Sequence, residues 1–195
     1  NLTSTHVKAS LDHEIDLVGN QVSQQIAKRK MSVSALSGEI NMVHPDLALR
    51  QAEISHLQHL ISSCKTFGTS IIATCTGSRS TESMWKYHPD NETEESWQVL
   101  ISTLEKLLPV AEKHGVILAF EPEVNNVANT ISKSLRLIEE MKSPNLKIVM
   151  DAANIFVKGE LPQTLCMWAG HGKWWKAHLQ SFSAGPSSLS ASSRG

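Results

Sequence analysis

Hydrophobic residues recur along this chain in two alternating patterns. Apolar residues spaced three and four positions apart predict amphipathic helices, whereas short apolar runs predict buried strands. The helical pattern covers residues 12–30, 46–65, 97–111 and 131–141. The strand pattern covers residues 31–36, 69–75, 116–120 and 146–150. Strands separated in this way by helices imply right-handed βαβ units and a parallel sheet.

Several residues mark where the predicted helices begin and end. Gly68 and Gly115 follow the second and third helical stretches and suit the left-handed turn that ends a helix. Asn91 and Glu94 are spaced as a capping pair before the third helix. Pro109 is expected to bend that helix in its last turns.

Two of the predicted strands end on an acidic residue. Glu121 follows the apolar run 116–120, and Asp151 follows the run 146–150. Because parallel strands end at one edge of the sheet, where ligands bind in such folds, the two carboxylates are expected to lie together. They would then either shift each other's pKa or share a divalent cation. Glu123, beyond the strand end, is predicted to orient them, and a helix cap or a surface charge is the alternative for Glu121 and Asp151.

Composition narrows the class of protein. The chain has 195 residues, 41% of them hydrophobic and 19% charged, with a net charge of -1. Such a chain favours one globular core and gives no electrostatic reason to expect nucleic acid or a membrane surface as a partner. The longest apolar run is far shorter than the roughly 20 residues of a membrane span. Three widely spaced cysteines favour a reduced, cytoplasmic protein.

The composition changes near residue 161. The residues after Glu160 include three basic residues, three of the five tryptophans and no acidic residue. The last nine residues are a polar, serine-rich segment that is expected to be disordered. We therefore predict one folded domain over residues 1–161 and an atypical, disordered tail over residues 162–195.

Five segments occur in an order that matches a known family. They cover residues 37–46, 75–79, 84–91, 120–126 and 149–154, at the predicted strand ends. Together they resemble sugar phosphate isomerases and epimerases of the xylose-isomerase-like TIM-barrel superfamily. The resemblance implies an α/β fold that is a partial (β/α)8 barrel, lacking the N-terminal and C-terminal strands. A complete barrel of this kind usually needs about 250 residues.

The resemblance also implies a divalent metal, Mn2+ or Mg2+, held by Glu, Asp, His and Glu at the ends of successive late strands. Glu121 matches the first of these ligands and Asp151 the second. His178 is the only candidate for the third, although its neighbours differ from the family pattern. The fourth ligand has no counterpart, because no acidic residue follows Glu160.

Four further residues are candidates for binding a substrate. His44 and His88 each stand before Pro-Asp, a sequence that often starts a helix, and contact with substrate is the alternative. Arg79 lies in a strand-end loop, where it could bind a sugar phosphate or a carboxylate or remain solvated. Asn154 is placed either to reach a substrate hydroxyl or to cap a helix.

The implied reaction is the isomerisation or epimerisation of a sugar or sugar phosphate by proton transfer through a metal-stabilised enediolate. Such chemistry needs a cation to stabilise the enediolate oxygens and a carboxylate, here Glu121, as the base. One alternative is a catalytically incompetent, truncated barrel that keeps a partial fold or forms homo-oligomers over its open sheet edges. A metal-dependent hydrolase of the endonuclease IV type is less favoured, because the chain lacks a basic groove.

Overall fold

The computed structural model describes residues 11–160 and 174–175. The helices are α1 (Leu11–Lys28), α2 (Leu47–Ser63), α3 (Glu94–His114), α4 (Ile131–Met141) and α5 (Ala152–Val157). The strands are β1 (Leu36–Ser37), β2 (Ile71–Cys75), β3 (Ile117–Glu121), β4 (Leu146–Val149) and β5 (Trp174–Trp175). Short 3-10 helices cover Cys64–Phe67 and Pro89–Glu92. Within the described ranges, no helix is long and apolar enough to cross a membrane.

The five strands form one parallel sheet in the order β1-β2-β3-β4-β5. Each strand therefore pairs with the next strand along the chain, as expected for successive βα units of a barrel. The predicted α/β architecture with a parallel sheet is confirmed. His178 and the rest of the predicted tail, apart from β5, lie outside the described residues, so the domain boundary at residue 161 stays a prediction.

The two faces of the sheet differ in character. One face packs against the helices and contributes large apolar side chains to a continuous core: Leu36, Ile72, Leu118, Phe120, Leu146 and Ile148. The alternate positions point to the opposite face, because successive strand residues do so. That opposite face carries Cys75 and Glu121, which pair directly across β2 and β3. The candidate acid thus lies on the face away from the helices.

Side-chain caps explain where three of the helices begin. The Asp46 carboxylate accepts hydrogen bonds from the backbone N–H groups of Ala48 and Leu49, so α2 starts as predicted. Thr93 caps α3 by accepting from Ser96 N, and Thr130 caps α4 by accepting from Lys133 N. The capping pair of Asn91 and Glu94 is therefore wrong: Thr93, between them, supplies the oxygen. α3 continues through Pro109 to His114.

The first predicted strand is also displaced. Residues 31–36 were expected to be extended and paired, but only Leu36 and Ser37 pair with β2, opposite Ile72 and Ala73. Met31 is 64% exposed, whereas Val33 packs against the core, so this segment is a partly buried connection without strand pairing. A strand forms only where a neighbouring strand pairs with it, and β2 pairs with this segment only from Leu36 onward.

Three buried asparagines hold together the loops that follow β1, β2 and β3. Asn41 donates to the Ser78 carbonyl (2.7 Å) and accepts from Ser78 N (3.0 Å). Asn126 accepts from Gly77 N (2.7 Å), and Asn91 donates to the Asn125 carbonyl (2.7 Å). These amides satisfy backbone groups that no strand pairs at this edge of the sheet. The loops at the carboxyl-terminal edge are therefore held in place by side chains of neighbouring loops.

Gly77 is required by this arrangement. Its φ of +78° lies in the left-handed region, and a Cβ there would lie 2.2 Å from Asn41 Oδ1. We expect Gly77→Ala to cost about 2–4 kcal/mol of unfolding free energy, because backbone strain and a clash with a bonded side chain add together. Urea unfolding followed by circular dichroism measures this loss.

Gly159→Ala is the matched control for that substitution. Gly159 has a similar φ of +73°, but nothing lies within 4 Å of its Cβ position. It should lose only about 1 kcal/mol from backbone strain. Equal losses at the two sites would show that the contact with Asn41 contributes nothing.

Candidate functional site

The candidate site lies at the carboxyl-terminal edge of the sheet, where β3 and β4 end. Glu121 is the last residue of β3, and Asp151 lies two residues beyond the end of β4. After burial and the charge of Glu123, the hydrogen bond and charge of Asp151 raise the pKa of Glu121, so the two carboxyl groups lie close together. The structure thus brings together the two acids that the strand pattern singled out.

Asn154 connects the acids to each other. Its Nδ2 donates to Oε1 of Glu121 at 3.0 Å, and its side chain also hydrogen-bonds Glu123. Asp151 accepts from Ala153 N at 2.7 Å and so caps α5, the helix that carries Asn154. One oxygen of Asp151 therefore caps a helix, which was the alternative prediction for this residue. Asn154 thus orients Glu121, and its contact with a substrate hydroxyl stays a prediction.

The surroundings of Glu121 favour its protonated form. Burial is the largest cause, followed by the charge of Glu123, the hydrogen bond and charge of Asp151, and the charge of Glu39. Together they raise the pKa of Glu121 to about 7. Burial and the charges of Asp151 and Glu39 also raise the pKa of Glu123, against the lowering effect of its bond to Asn154. The site is crowded with negative charge and would gain from a cation.

Glu39 is the one member of this acidic group that the sequence analysis missed. It lies two residues after β1, at the same edge of the sheet as Glu121. Its charge acts on Glu121, Glu123 and the buried thiol of Cys75, whose pKa is raised first by burial and then by Glu39. The rule that located Glu121 would have found Glu39, had the first strand been predicted to end at Ser37.

The two histidines make local contacts that resemble helix caps. Nδ1 of His44 accepts from Asp46 N at 3.0 Å, and Nδ1 of His88 accepts from Asp90 N at 3.3 Å. Each imidazole thereby stabilises the turn before a helical segment, as the Pro-Asp sequences favour. Their binding to substrate stays a prediction and would use the remaining nitrogen, Nε2.

Arg79 lies in the loop after β2, at the same edge of the sheet. Its backbone N–H donates to Asn91 Oδ1 (2.7 Å), and its Nη1 donates to the Val43 carbonyl (3.1 Å). Both contacts use the asparagine-fixed loops, so the guanidinium is held in place. Contact between Arg79 and a substrate stays a prediction.

The donor chemistry suits a hard divalent cation. Glu121 and Asp151 offer carboxylate oxygens, which Mg2+ and Mn2+ prefer. Among residues 11–160 and 174–175, no group of three His, Cys, Asp or Glu side chains is arranged to hold a metal. Glu121 and Asp151 therefore fit as two ligands of a larger set. The predicted third ligand, His178, lies outside the described residues.

A surface cavity of about 420 Å3 lies apart from these residues. It is lined by Val33, Ser34, Lys65 and the residues that lead into β2, at the amino-terminal edge of the sheet. Ligands of parallel α/β folds bind at the opposite edge, where the acids lie. The geometry of the acids, and not this cavity, defines the candidate site.

The fold is that of successive βα units of a barrel, in which side chains gather at the carboxyl ends of the parallel strands. A model of the family described as "Xylose isomerase-like TIM barrel" matches residues 6–180 of this chain. The chain belongs to this family. The predicted fold class, a partial xylose-isomerase-like barrel, is confirmed. No curated protein sequence matches the chain.

Solved structures of other proteins share the fold at low sequence identity. The probable 3-DHS dehydratase AsbF from Bacillus anthracis is 18% identical, with a TM-score of 0.62 over 86% of this chain and 59% of that one. A D-psicose 3-epimerase, solved in the presence of D-fructose, is 14% identical, with a TM-score of 0.60 over 82% and 55%. A xylose isomerase-like protein from Mycobacterium smegmatis, in complex with magnesium, is 16% identical, with a TM-score of 0.59 over 79% and 51%. This chain thus spans little more than half the length of each.

The raised pKa of Glu121 predicts a pH-dependent effect on stability. The folded chain holds a proton that the unfolded chain releases above its ordinary pKa of 4.5. Stability is therefore lost as the pH rises from about 4.5 through 7. Glu121→Gln, measured by urea unfolding in EDTA, should be more stable than wild type by about 1–2 kcal/mol at pH 8, after allowance for the half-exposed position. The gain should vanish below about pH 4.5.

Glu105→Gln serves as the control, since Glu105 is exposed on α3. The difference in unfolding free energy between Glu105→Gln and wild type should stay the same across this pH range. A gain for Glu121→Gln that did not vary with pH would contradict a raised pKa at this position.

Proposed function

We propose that this chain carries part of the active site of a divalent-metal-dependent sugar or sugar phosphate isomerase or epimerase. The observation that carries the proposal is the contact between Glu121 and Asp151, at the ligand-binding edge of a xylose-isomerase-like sheet. The epimerase and the magnesium complex among the structures of the same fold support it. The cytoplasmic location and the homo-oligomer stay predictions.

Each residue of the candidate site has a proposed role. Glu121 and Asp151 hold the cation, and His178 is proposed as a third ligand on the basis of sequence. The cation, when bound, supplies the charge stabilisation that an enediolate requires. Asn154 keeps the Glu121 carboxylate oriented by occupying its Oε1. Glu121 is also proposed to take the proton from the carbon next to the substrate carbonyl, as a general base.

A catalytically incompetent barrel is the second candidate. The observation in its favour is that no group of three His, Cys, Asp or Glu side chains among the described residues is arranged to hold a metal. Two carboxylates leave most of a cation's coordination to water, so affinity would be low. Metal affinity and hydrogen exchange together therefore separate an active site from an inherited remnant. The endonuclease IV-like hydrolase stays the weaker alternative.

Mn2+ binding to the whole chain, measured by calorimetry, tests the proposed metal site. A carboxyl group must lose its proton to bind a cation, so affinity should rise roughly tenfold between pH 6 and pH 8, through the pKa of Glu121. Glu121→Gln and Asp151→Asn should each abolish or strongly weaken binding. Glu105→Gln, which removes a distant carboxylate on α3, should leave it unchanged. No binding tighter than millimolar in wild type would overturn the proposed metal site.

Exchange of substrate hydrogen with solvent tests the proposed reaction. Candidate ketoses and their phosphates are incubated with the Mn2+-loaded chain in deuterated water and followed by proton NMR. We expect deuterium at the carbon next to the carbonyl, and none with Glu121→Gln. Tight Mn2+ binding without exchange of any candidate would assign the chain to the incompetent class.

A further inference from the structure

Arg50, near the start of α2, and Arg79, in the loop that follows β2, both contact the segment that follows β1. Nη1 of Arg50 donates to the His44 carbonyl (2.5 Å), and Nη1 of Arg79 donates to the Val43 carbonyl (3.1 Å). These carbonyls belong to consecutive residues, so the two guanidinium groups flank one short piece of backbone. Burial, and then the charge of Arg79, lower the pKa of Arg50, which confirms that the two cations act on each other.

Neither guanidinium forms an ion pair within the described part of the chain. Arg136 shows the contrast, because it binds the carboxylates of both Glu94 and Glu140. The acids nearest Arg50 in sequence are otherwise engaged: Asp46 caps α2, and Glu53 accepts from Asn41 N at 2.8 Å. Two partly buried like charges without a counter-ion repel each other, and an anion between them would relieve that repulsion.

The guanidinium groups are also fixed in place. Arg79 is bound through its backbone to the buried side chain of Asn91, and Arg50 belongs to the second turn of α2. Each guanidinium has five N–H donors, and Nη1 of each binds a backbone carbonyl. The remaining donors have the planar arrangement that binds two oxygens of one oxyanion.

We propose that Arg50 and Arg79 form a binding site for an oxyanion, the phosphate or carboxylate group at one end of the substrate. The site is formed by the start of α2 and the loop after β2, at the carboxyl-terminal edge of the sheet, the edge on which Glu121 and Asp151 also lie. Its assignment to the substrate rests on the proposed function. The binding of an oxyanion does not, because it involves neither the metal nor the acids.

Titration of the metal-free chain with inorganic phosphate, in EDTA at low ionic strength, tests the site. Binding is followed by calorimetry and by NMR shifts of the arginine side chains. Arg79→Gln and Arg50→Gln should each weaken phosphate binding about tenfold or more, as expected for loss of a charged hydrogen-bond donor. Arg79→Lys should weaken it less, since it keeps the charge but not the fork.

Arg29→Gln is the matched control, because it removes the same charge from the turn that follows α1, where Arg29 contacts Gln25. It should leave phosphate binding unchanged. Circular dichroism of each variant verifies that it is folded. Absence of phosphate binding to the wild type, or an equal loss of phosphate affinity in all three arginine-to-glutamine variants, would overturn the site. The two arginines would then only stabilise the loop after β1.

Two comparisons identify the ligand and separate this inference from the proposed function. Competition between phosphate and acetate shows which oxyanion the site prefers, a phosphate or a carboxylate. Glu121→Gln should bind phosphate as wild type does. Phosphate binding that depends on the arginines, in a chain that fails to bind Mn2+, would support the oxyanion site while rejecting the isomerase. Mn2+ binding and hydrogen exchange without phosphate binding would support the isomerase while rejecting the oxyanion site.

Discussion

Parallel pairing of consecutive strands is the constraint on which the rest of this structure depends. The pairing places Cys75 opposite Glu121 and Phe120 opposite Ile148, so every strand ends at the same edge. Side chains that are far apart in sequence, such as Glu39 and Asp151, therefore act on the same carboxyl group. The large apolar residues on the other face of the sheet maintain this register, because a slip of one residue would expose them.

The carboxyl-terminal edge carries a group of acidic side chains and a pair of arginines, and neither group is fully neutralised by opposite charges. Burial and the charges of Glu123, Asp151 and Glu39 raise the pKa of Glu121, whereas burial and the charge of Arg79 lower the pKa of Arg50. A folded chain tolerates such crowding where ligands supply the missing charge, and functional sites are where it concentrates. The buried asparagines between these groups make the crowding possible, since they satisfy the loop backbone and prevent its collapse. Cation and oxyanion would thus bind to a largely preformed edge.

Most of the fold was predictable because it follows local rules. The apolar spacing of α3, the left-handed glycine that follows it and the apolar run of β3 each suffice to place an element. The errors arose where a distant partner decides the outcome. β1 begins only at Leu36 because Ile72 pairs with it there, and Thr93 caps α3 while Asn91 is drawn into the loop network. Glu39 was missed for the same reason, because its strand was placed too early.

The sequence by itself determined the family, the order of the βα units and the two acids Glu121 and Asp151, since strand ends and motifs are readable one segment at a time. Only the tertiary structure decided how these residues work together. It placed Asn154 against Glu121 and Glu123, added Glu39 to the acidic group and set Arg50 beside Arg79. The physical reason is that charge interactions and side-chain hydrogen bonds depend on distances in space, which the loops between the strands fix only once the sheet has formed.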